Sequence, residues 1–295
     1  MKVLHIPFDN LPQHGGVRQH IRLLLAHMPS QGVEFVKHME QADLVHVQTA
    51  YPPPRRVIDR LPVIDVMTCH GGFIPPIPQV RRNLYDAKMI ISVARWIVDH
   101  FFPEYAKKTV VIPNGLDLNE WTGLPPSGLE PGYVLWGSMH DRADWNMFYK
   151  LATERIDLRF VSTLRPRALK GLSLPPNLHT IGLQPYSKFR SIVNDAAVVV
   201  SCGSEVCPTL VLEAWACGKP VLAWNGHGNA ELLNKHVAGG YLYDNFGEMS
   251  AGLEMLLLQS PKAAEERREI VWQNYTWERL AERTMEVYER CVTCH

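Results

Sequence analysis

The chain has 295 residues, 46% of them hydrophobic and 20% charged, which is enough to bury a substantial core and to form two domains. Lysine plus arginine and aspartate plus glutamate each total 30, so the formal net charge is +0 and no global field advertises a polyanionic partner. The first apolar run, Val3 to Phe8, breaks at Asp9, and no run approaches a bilayer span or a signal-peptide core, so the expected location is cytoplasmic.

Six scattered cysteines in a chain of this size read as thiols rather than a disulfide framework. Cys291-Val292-Thr293-Cys294-His295 spells a haem-attachment pattern, read here as coincidence at the end of a chain without an export signal.

Short β-branched runs alternate with longer amphipathic stretches, the rhythm of a parallel sheet covered by helices on both faces. The first half predicts strands at Lys2–Ile6, Glu34–Lys37, Leu44–Val47, Val63–Met67, Met89–Val93 and Thr109–Ile112, with helices at Val17–His27 and Ala94–Phe102. A turn at Pro113-Asn114-Gly115 ends it. From Leu116 to Pro131, Gly123, Pro125, Pro126, Gly128 and Pro131 crowd a segment without apolar period, which reads as the interdomain linker. The rhythm restarts with strands at Tyr133–Trp136, Leu158–Val161, His179–Ile181, Val198–Ser201 and Val221–Ala223, and helices near Trp145–Thr153, Lys188–Asn194 and Thr209–Cys217. Finally, Thr276 reads as an N-cap with Tyr275 and Leu280 as its hydrophobic staple, and Trp277, Leu280, Ala281, Tyr288 and Cys291 trace the apolar stripe of a last helix. The expected domains are residues 1–118, residues 119–274, and a closing helix over 275–295 that crosses back to the first.

The chemistry concentrates between Ser201 and Leu233. A buried strand runs into a loop, and Pro208 opens a helix at its first position, leaving the amides of Thr209, Leu210 and Val211 bare above the carboxyl end of the sheet. Such a tip is an anion site. Glu213 lies three and four residues past Leu210 and Thr209, on the same helix face. With a diphosphate at the tip, its ribose would lie beside this carboxylate, which accepts two hydroxyl hydrogen bonds. Glu205, in the loop ahead of the helix, would then face a sugar beyond the phosphates. Taken singly, each glutamate reads more readily as a solvated surface acid.

Glu205 and Glu213, separated by seven residues, are followed by Ala214-Trp215-Ala216-Cys217-Gly218-Lys219-Pro220-Val221 and by Gly226-His227-Gly228-Asn229-Ala230-Glu231. This segment resembles the signature of family 4 of the retaining glycosyltransferases, which have the GT-B fold: α/β, two Rossmann-like domains facing each other across a cleft. Weaker pieces appear in the same order: Gly15-Gly16-Val17, Ala42 to Val47, Thr68-Cys69-His70-Gly71, Ile91-Ser92-Val93, Val111 to Asp117, and Tyr275-Thr276-Trp277-Glu278.

The resemblance implies roles position by position. Glu213 would hold the nucleotide ribose, the amides of Thr209 and Leu210 the diphosphate, and Glu205 the donor sugar hydroxyls. Gly15 and Gly16 would let the backbone approach the substrate closely. His70, ending a predicted strand, is the residue of the first half expected to face the transferred sugar. Glu231 is a minor candidate for the sugar, or a helix-start acid favoured by the dipole.

One departure stands out. The family's basic pair after the first strand of the second domain is missing from Gly137-Ser138-Met139-His140-Asp141-Arg142-Ala143-Asp144. Arg142, from a shifted position, or Arg165 or Arg167 would have to neutralise the diphosphate. No Asp-x-Asp, His-Glu-x-x-His or paired Cys-x-x-Cys pattern offers a metal site, so metal-independent chemistry is expected, with the nucleotide-diphosphate-sugar as substrate and no cofactor.

The expected function is retaining transfer from that donor to an acceptor hydroxyl on a glycan, lipid, small molecule or modified nucleic acid. A GT-B sugar-nucleotide epimerase, a phosphorylase-like enzyme and a degenerate nucleotide-binding protein stay open as alternatives. The small basic clusters Arg55-Arg56 and Arg81-Arg82 read as solvated loops.

Overall fold

Runs of β-branched residues form two six-stranded parallel sheets in the computed structural model of the protein, which describes residues 1–6, 16–48, 64–70, 83–138, 145–164, 171, 173–201, 203, 205 and 207–293. The chain divides into two compact units. Unit 1 comprises Met1–Asp117 with Tyr275–His295, and unit 2 comprises Leu118–Asn274.

Unit 1 contains β1 (Lys2–Ile6), α1 (Gly16–His27), β2 (Glu34–Val36), β3 (Leu44–Gln48), β4 (Val66–Cys69), β5 (Met89–Ser92), α2 (Arg95–Phe101) and β6 (Thr109–Val111). Its sheet runs in the order β2-β1-β3-β4-β5-β6, all pairs parallel. The central strands β1, β3, β4 and β5 are largely buried, as parallel strands covered on both faces are, while the edge strands β2 and β6 are only partly so. One cover is the last helix, Trp277–Thr293, whose stripe of Trp277, Leu280, Ala281, Val287, Tyr288 and Cys291 packs with Leu23, Leu24, Leu44 and Val66. Its anchor is a parallel bridge between Leu116 and Thr276, with Leu116 N–H donating to the Tyr275 carbonyl at 2.8 Å and Trp277 N–H to the Leu116 carbonyl at 3.0 Å. Gly115 makes this possible, since a Cβ there would lie 2.6 Å from a Leu280 methyl and 2.9 Å from the Tyr275 carbonyl.

Unit 2 contains β7 (Tyr133–Trp136), α3 (Trp145–Glu154), β8 (Phe160–Ser162), β9 (Leu178–Thr180), α4 (Tyr186–Asp195), β10 (Ala196–Ser201), α5 (Thr209–Ala216), β11 (Val221–Trp224), α6 (His227–Lys235), β12 (Gly240–Tyr243), α7 (Phe246–Leu257) and α8 (Pro261–Asn274). The sheet order is β12-β11-β10-β7-β8-β9, again parallel throughout. Trp136, Trp145, Phe148 and Phe160 meet under α3, with ring centroids 5.1 to 5.6 Å apart, and join Val198, Val200, Met249 and Leu253 in one core.

The segment read as a linker begins unit 2. Leu118–Trp121 forms a 3-10 turn with Trp121 buried, and Ser127 N–H donates to Asp195 Oδ2 at 2.7 Å. With these ties its backbone is part of the packing.

Three helices and a strand went unread in the sequence, α6, α7, α8 and β12. The helix α8 has the least apolar pattern of the three, burying only Arg267 and Val271. Arg267 is 2% exposed and donates Nε–H to the Gly218 carbonyl at 2.9 Å and Nη1–H to the Ala238 carbonyl at 3.0 Å and Gln259 Oε1 at 2.5 Å. Burial lowers its pKa to about 10. Gly218 itself ends α5 in the left-handed region, at φ 72°, with Gly218 N–H bonded to the Trp215 carbonyl and Lys219 N–H to the Ala214 carbonyl, a Schellman closure.

Arg267 therefore staples the end of α5 to α8. Arg267→Ala leaves the buried Gly218 carbonyl and the half-buried Ala238 carbonyl without this donor and should lower unfolding free energy by about 2 kcal/mol. A urea denaturation midpoint indistinguishable from wild type would refute this role.

Candidate functional site

Parallel sheets open a crevice where neighbouring strands send their following connections to opposite faces, beyond the carboxyl ends of those strands. In unit 2 that point lies between β7 and β10. Gly137 follows β7, and the loop to α5 follows β10. A Cβ on Gly137 would fall 2.5 Å from one Leu210 methyl and 2.8 Å from the other, so the glycine lets the tip of α5 lie against the end of β7.

Pro208 is the N-cap of α5 rather than its first helical residue, with φ −70° and ψ 100°. This corrects the expectation of three bare amides. Val211 N–H donates to the Pro208 carbonyl at 3.1 Å, while those of Thr209 and Leu210 have no acceptor among the described residues. Pro208 supplies no side-chain cap to the helix. Two adjacent donors at a positive helix end suit one anionic group.

Glu205 is half-buried in the loop ahead of that tip. Its backbone is held at both ends: N–H donates to the Gly203 carbonyl at 2.9 Å, and its carbonyl accepts from Gly228 N–H at 3.0 Å. Asn229, fully buried, accepts from Ser201 Oγ at 2.8 Å and reaches the Gly203 carbonyl at 3.5 Å. The first turn of α6 thus fixes the loop that carries Glu205. That turn is itself unusual. His227 has φ 48°, the one positive φ at a non-glycine among the described residues, and a Cβ on Gly226 would strike the Trp224 ring at 2.0 Å. Glu231, half-buried, lies on α6 itself.

Glu213 is the least expected finding. It is buried, 6% exposed, and Tyr186 Oη–H donates to its Oε1 at 2.7 Å. Burial pushes its pKa up to about 7, opposed by the Tyr186 hydrogen bond and the Arg190 charge. Tyr186 stands in an edge contact with Trp121 at 6.1 Å and under the Arg190 guanidinium at 5.5 Å, and Arg190 pairs with Glu120 at 3.2 Å. None of these four residues was singled out in the sequence. They lie 23 to 93 positions from Glu213, and no local spacing connects them.

In unit 1 the corresponding point lies between β1 and β3. His70 ends β4, buried, with Nε2–H donating to Gln48 Oε1 at 2.5 Å. The Gln48 amide faces His5 Nε2 at 2.9 Å and His46 Nε2 at 3.3 Å, and His46 bonds Thr68 Oγ1 and Tyr288 Oη at 2.7 Å each. His20 packs edge-on to His70 at 4.4 Å and meets Asn114 Oδ1 at 3.1 Å. The sequence reading drew only His70 from this network. Gly16 is exposed at the first position of α1, and Gly15 lies outside the described residues. So do Arg142, Arg165, Arg167, Arg55, Arg56, Arg81 and Arg82.

Burial holds all four imidazoles neutral. It lowers His5 to about 3 and His20 to about 4, and drives His46 and His70 well below 6.5, with the neighbouring histidines adding to the effect at His5, His46 and His70. The folded pKa values are depressed, so as pH falls below about 6.5 the unfolded chain takes up protons that the folded chain refuses, and stability is lost. At pH 5 this costs about 2 kcal/mol per histidine. Glu213, raised instead of lowered, acts with the opposite sign between pH 7 and 4.5, by about 3 kcal/mol. The histidines outweigh it, so the thermal midpoint should fall between pH 7.5 and 5, and His46→Gln should flatten that slope. A midpoint independent of pH over this range would contradict a neutral network.

His27, Asp117 and Glu278 form the one group of metal-ligand type among the described residues. The carboxylates face opposite nitrogens of the ring, Nε2 and Nδ1, at 3.8 Å each.

Residues 166–277 match the family Glycosyl transferases group 1, nearly all within unit 2. No curated protein matches the chain. Among solved structures, a glycosyltransferase from Rickettsia africae ESF-5 is similar at 14% identity and TM-score 0.74, over 100% of this chain and 98% of that one. Anabaena Alr3699/HepE, solved in complex with UDP and glucose, is similar at 15% identity and TM-score 0.73, over 98% of this chain and 100% of that one. AviGT4, a glycosyltransferase involved in avilamycin A biosynthesis, is similar at 17% identity and TM-score 0.71, over 100% and 98%. The two parallel-sheet units have the GT-B architecture, and with a group 1 glycosyltransferase domain over residues 166–277 the chain is a transferase.

Proposed function

We propose that the protein is a retaining glycosyltransferase that moves a sugar from a nucleoside-diphosphate donor to an acceptor hydroxyl. The carrying observation is the tip of α5. Two adjacent amides have no acceptor among the described residues there, the loop acid Glu205 precedes them, and the buried acid Glu213 follows one turn along. Diphosphate on the amides, ribose on Glu213 and sugar hydroxyls on Glu205 follow the order of groups in such a donor. HepE of Anabaena binds UDP-glucose, which supports the same donor class here.

In the proposed reaction the bond from the sugar C1 to the diphosphate oxygen breaks while the acceptor oxygen bonds to C1 on the same face. The acceptor proton passes to the leaving diphosphate. The protein supplies orientation and a positive helix end for the departing charge, with Arg142 the proposed basic partner. His70 is proposed to face the transferred sugar from unit 1, and Gly15 and Gly16 to let the backbone approach the substrate. No cofactor or metal is assigned. The proposed location is cytoplasmic, and no described helix is long and apolar enough to cross a membrane.

Glu205→Ala and Glu213→Ala should each reduce donor turnover by about 100-fold or more, measured as release of nucleoside diphosphate, with circular dichroism unchanged. Near-normal turnover in both would overturn the site assignment. NMR of the product should show the anomeric configuration of the donor preserved; an inverted product would refute retention while leaving the transfer in place.

A further inference from the structure

We propose that Tyr186 is the positioning residue of the nucleoside site: its hydroxyl holds one oxygen of Glu213 so that the other is presented to the ribose. The inference rests on the assignment of Glu213 to the ribose and goes beyond it by naming what aims the carboxylate.

The geometry is specific. Tyr186 is the first residue of α4, directly after Pro185, whose ring restricts the backbone at the start of the helix. The phenol is clamped on two sides. Trp121 meets it edge-on at 79°, and Arg190, one turn along α4, sits 5.5 Å from the ring centre. Arg190 is held in turn by Glu120 at 3.2 Å, the neighbour of Trp121 in the same 3-10 turn. One short turn therefore supplies both restraints.

The bond from Tyr186 Oη to Glu213 Oε1 is 2.7 Å, and among the described residues no other group bonds that carboxyl. Burial and the Glu213 charge push the phenol well above its ordinary range, so it stays protonated and its single hydrogen is committed to Oε1. Glu213 keeps 6% of its surface exposed, so Oε2 is the oxygen left for a ligand hydroxyl.

The groups around Glu213 are few. Tyr186 and Arg190 face it from α4, Glu120 lies beyond Arg190, and Cys217 stands one turn along α5 with Lys219 and Arg268 near its thiol. The strands β10 and β11 beneath carry no titratable side chain. A donor to Oε1 favours the ionised carboxyl, which is the form that accepts from a ribose hydroxyl. Taking the hydroxyl away while keeping the ring raises the pH at which the carboxylate is available.

The test uses the full-length protein and whichever of UDP, GDP or ADP raises the thermal midpoint of wild type most. Affinity is measured by calorimetry from pH 5.5 to 9, each value divided by that for the 2′,3′-dideoxy form of the same nucleotide, which cancels the titration of the phosphates. For wild type the ratio should rise with pH to a plateau. In Tyr186→Phe the midpoint of that rise should move up by about one pH unit, and affinity at pH 7 should fall by about 10-fold. An unmoved midpoint with unchanged affinity overturns the role of Tyr186. Glu213→Gln separates the two claims: if it weakens binding while Tyr186→Phe does not, only the positioning fails. If Glu213→Gln binds as wild type at every pH, or if none of the three nucleotides binds wild type, the ribose assignment fails and the positioning with it.

Discussion

The closeness of α5 to the end of β7 is the constraint on which the candidate site in unit 2 depends. A helix following a buried parallel strand must start near the carboxyl edge of its sheet, because the connection is short and the helix has to pack back on the sheet. At the switch point between β7 and β10 there is no crossover helix to fill the space, so the first turn of α5 lies at the crevice. Gly137 leaves room for the Leu210 side chain against the end of β7. Pro208 contributes no N–H, and its carbonyl satisfies Val211, which leaves two amides unpaired within the described chain. Their adjacency, more than their number, gives the tip its preference for an anionic group.

The polar groups near the two switch points are paid for in different ways. Unit 1 buries imidazoles as neutral rings and satisfies most of their nitrogens within a hydrogen-bonded network, so no charge is desolvated. One exception is His5 Nδ1, which is buried and has no partner among the described residues. Unit 2 buries a carboxyl group with a neutral donor beside it and a cation one step further off. A direct ion pair would have kept Glu213 ionised and fully occupied. A phenol donor leaves its protonation balanced near neutrality and one oxygen uncommitted, which is a poor arrangement for stability and a useful one for receiving a hydroxyl.

Strand positions were legible wherever β-branched residues cluster: Lys2–Ile6 and Tyr133–Trp136 fall where the pattern puts them, and most others agree within two residues. The fourth strand slipped, expected over Val63–Met67 and found at Val66–Cys69, because Ile64 and Asp65 precede the paired ladder and Thr68 and Cys69 extend it. The strand Gly240–Tyr243 escaped because Gly-Tyr-Leu-Tyr has no β-branched residue. Its glycine is nonetheless required, since a Cβ there would fall 1.9 Å from the Val221 carbonyl oxygen. The helix Pro261–Asn274 escaped because its buried anchor is an arginine, which hydropathy counts as surface.

The site was legible along the chain and illegible across it. Glu205, Thr209, Leu210 and Glu213 share one segment, so spacing alone relates them. Tyr186 comes from the preceding helix and Trp121 and Glu120 from a turn ahead of the sheet, and only folding brings them to Glu213. The same holds for His5, His20, His46 and His70, four of 13 histidines drawn from three strand regions and a helix. Sequence spacing thus relates the groups proposed to touch a ligand, while the groups that set the protonation and aim of Glu213 arrive from other elements. A carboxyl group that would be solvated if taken singly changes its chemistry once a tyrosine 27 residues away bonds it. Ionisation, unlike helix position, is a property of the tertiary neighbourhood, and that is why the acid that a helix pattern located needed coordinates before its protonation could be argued.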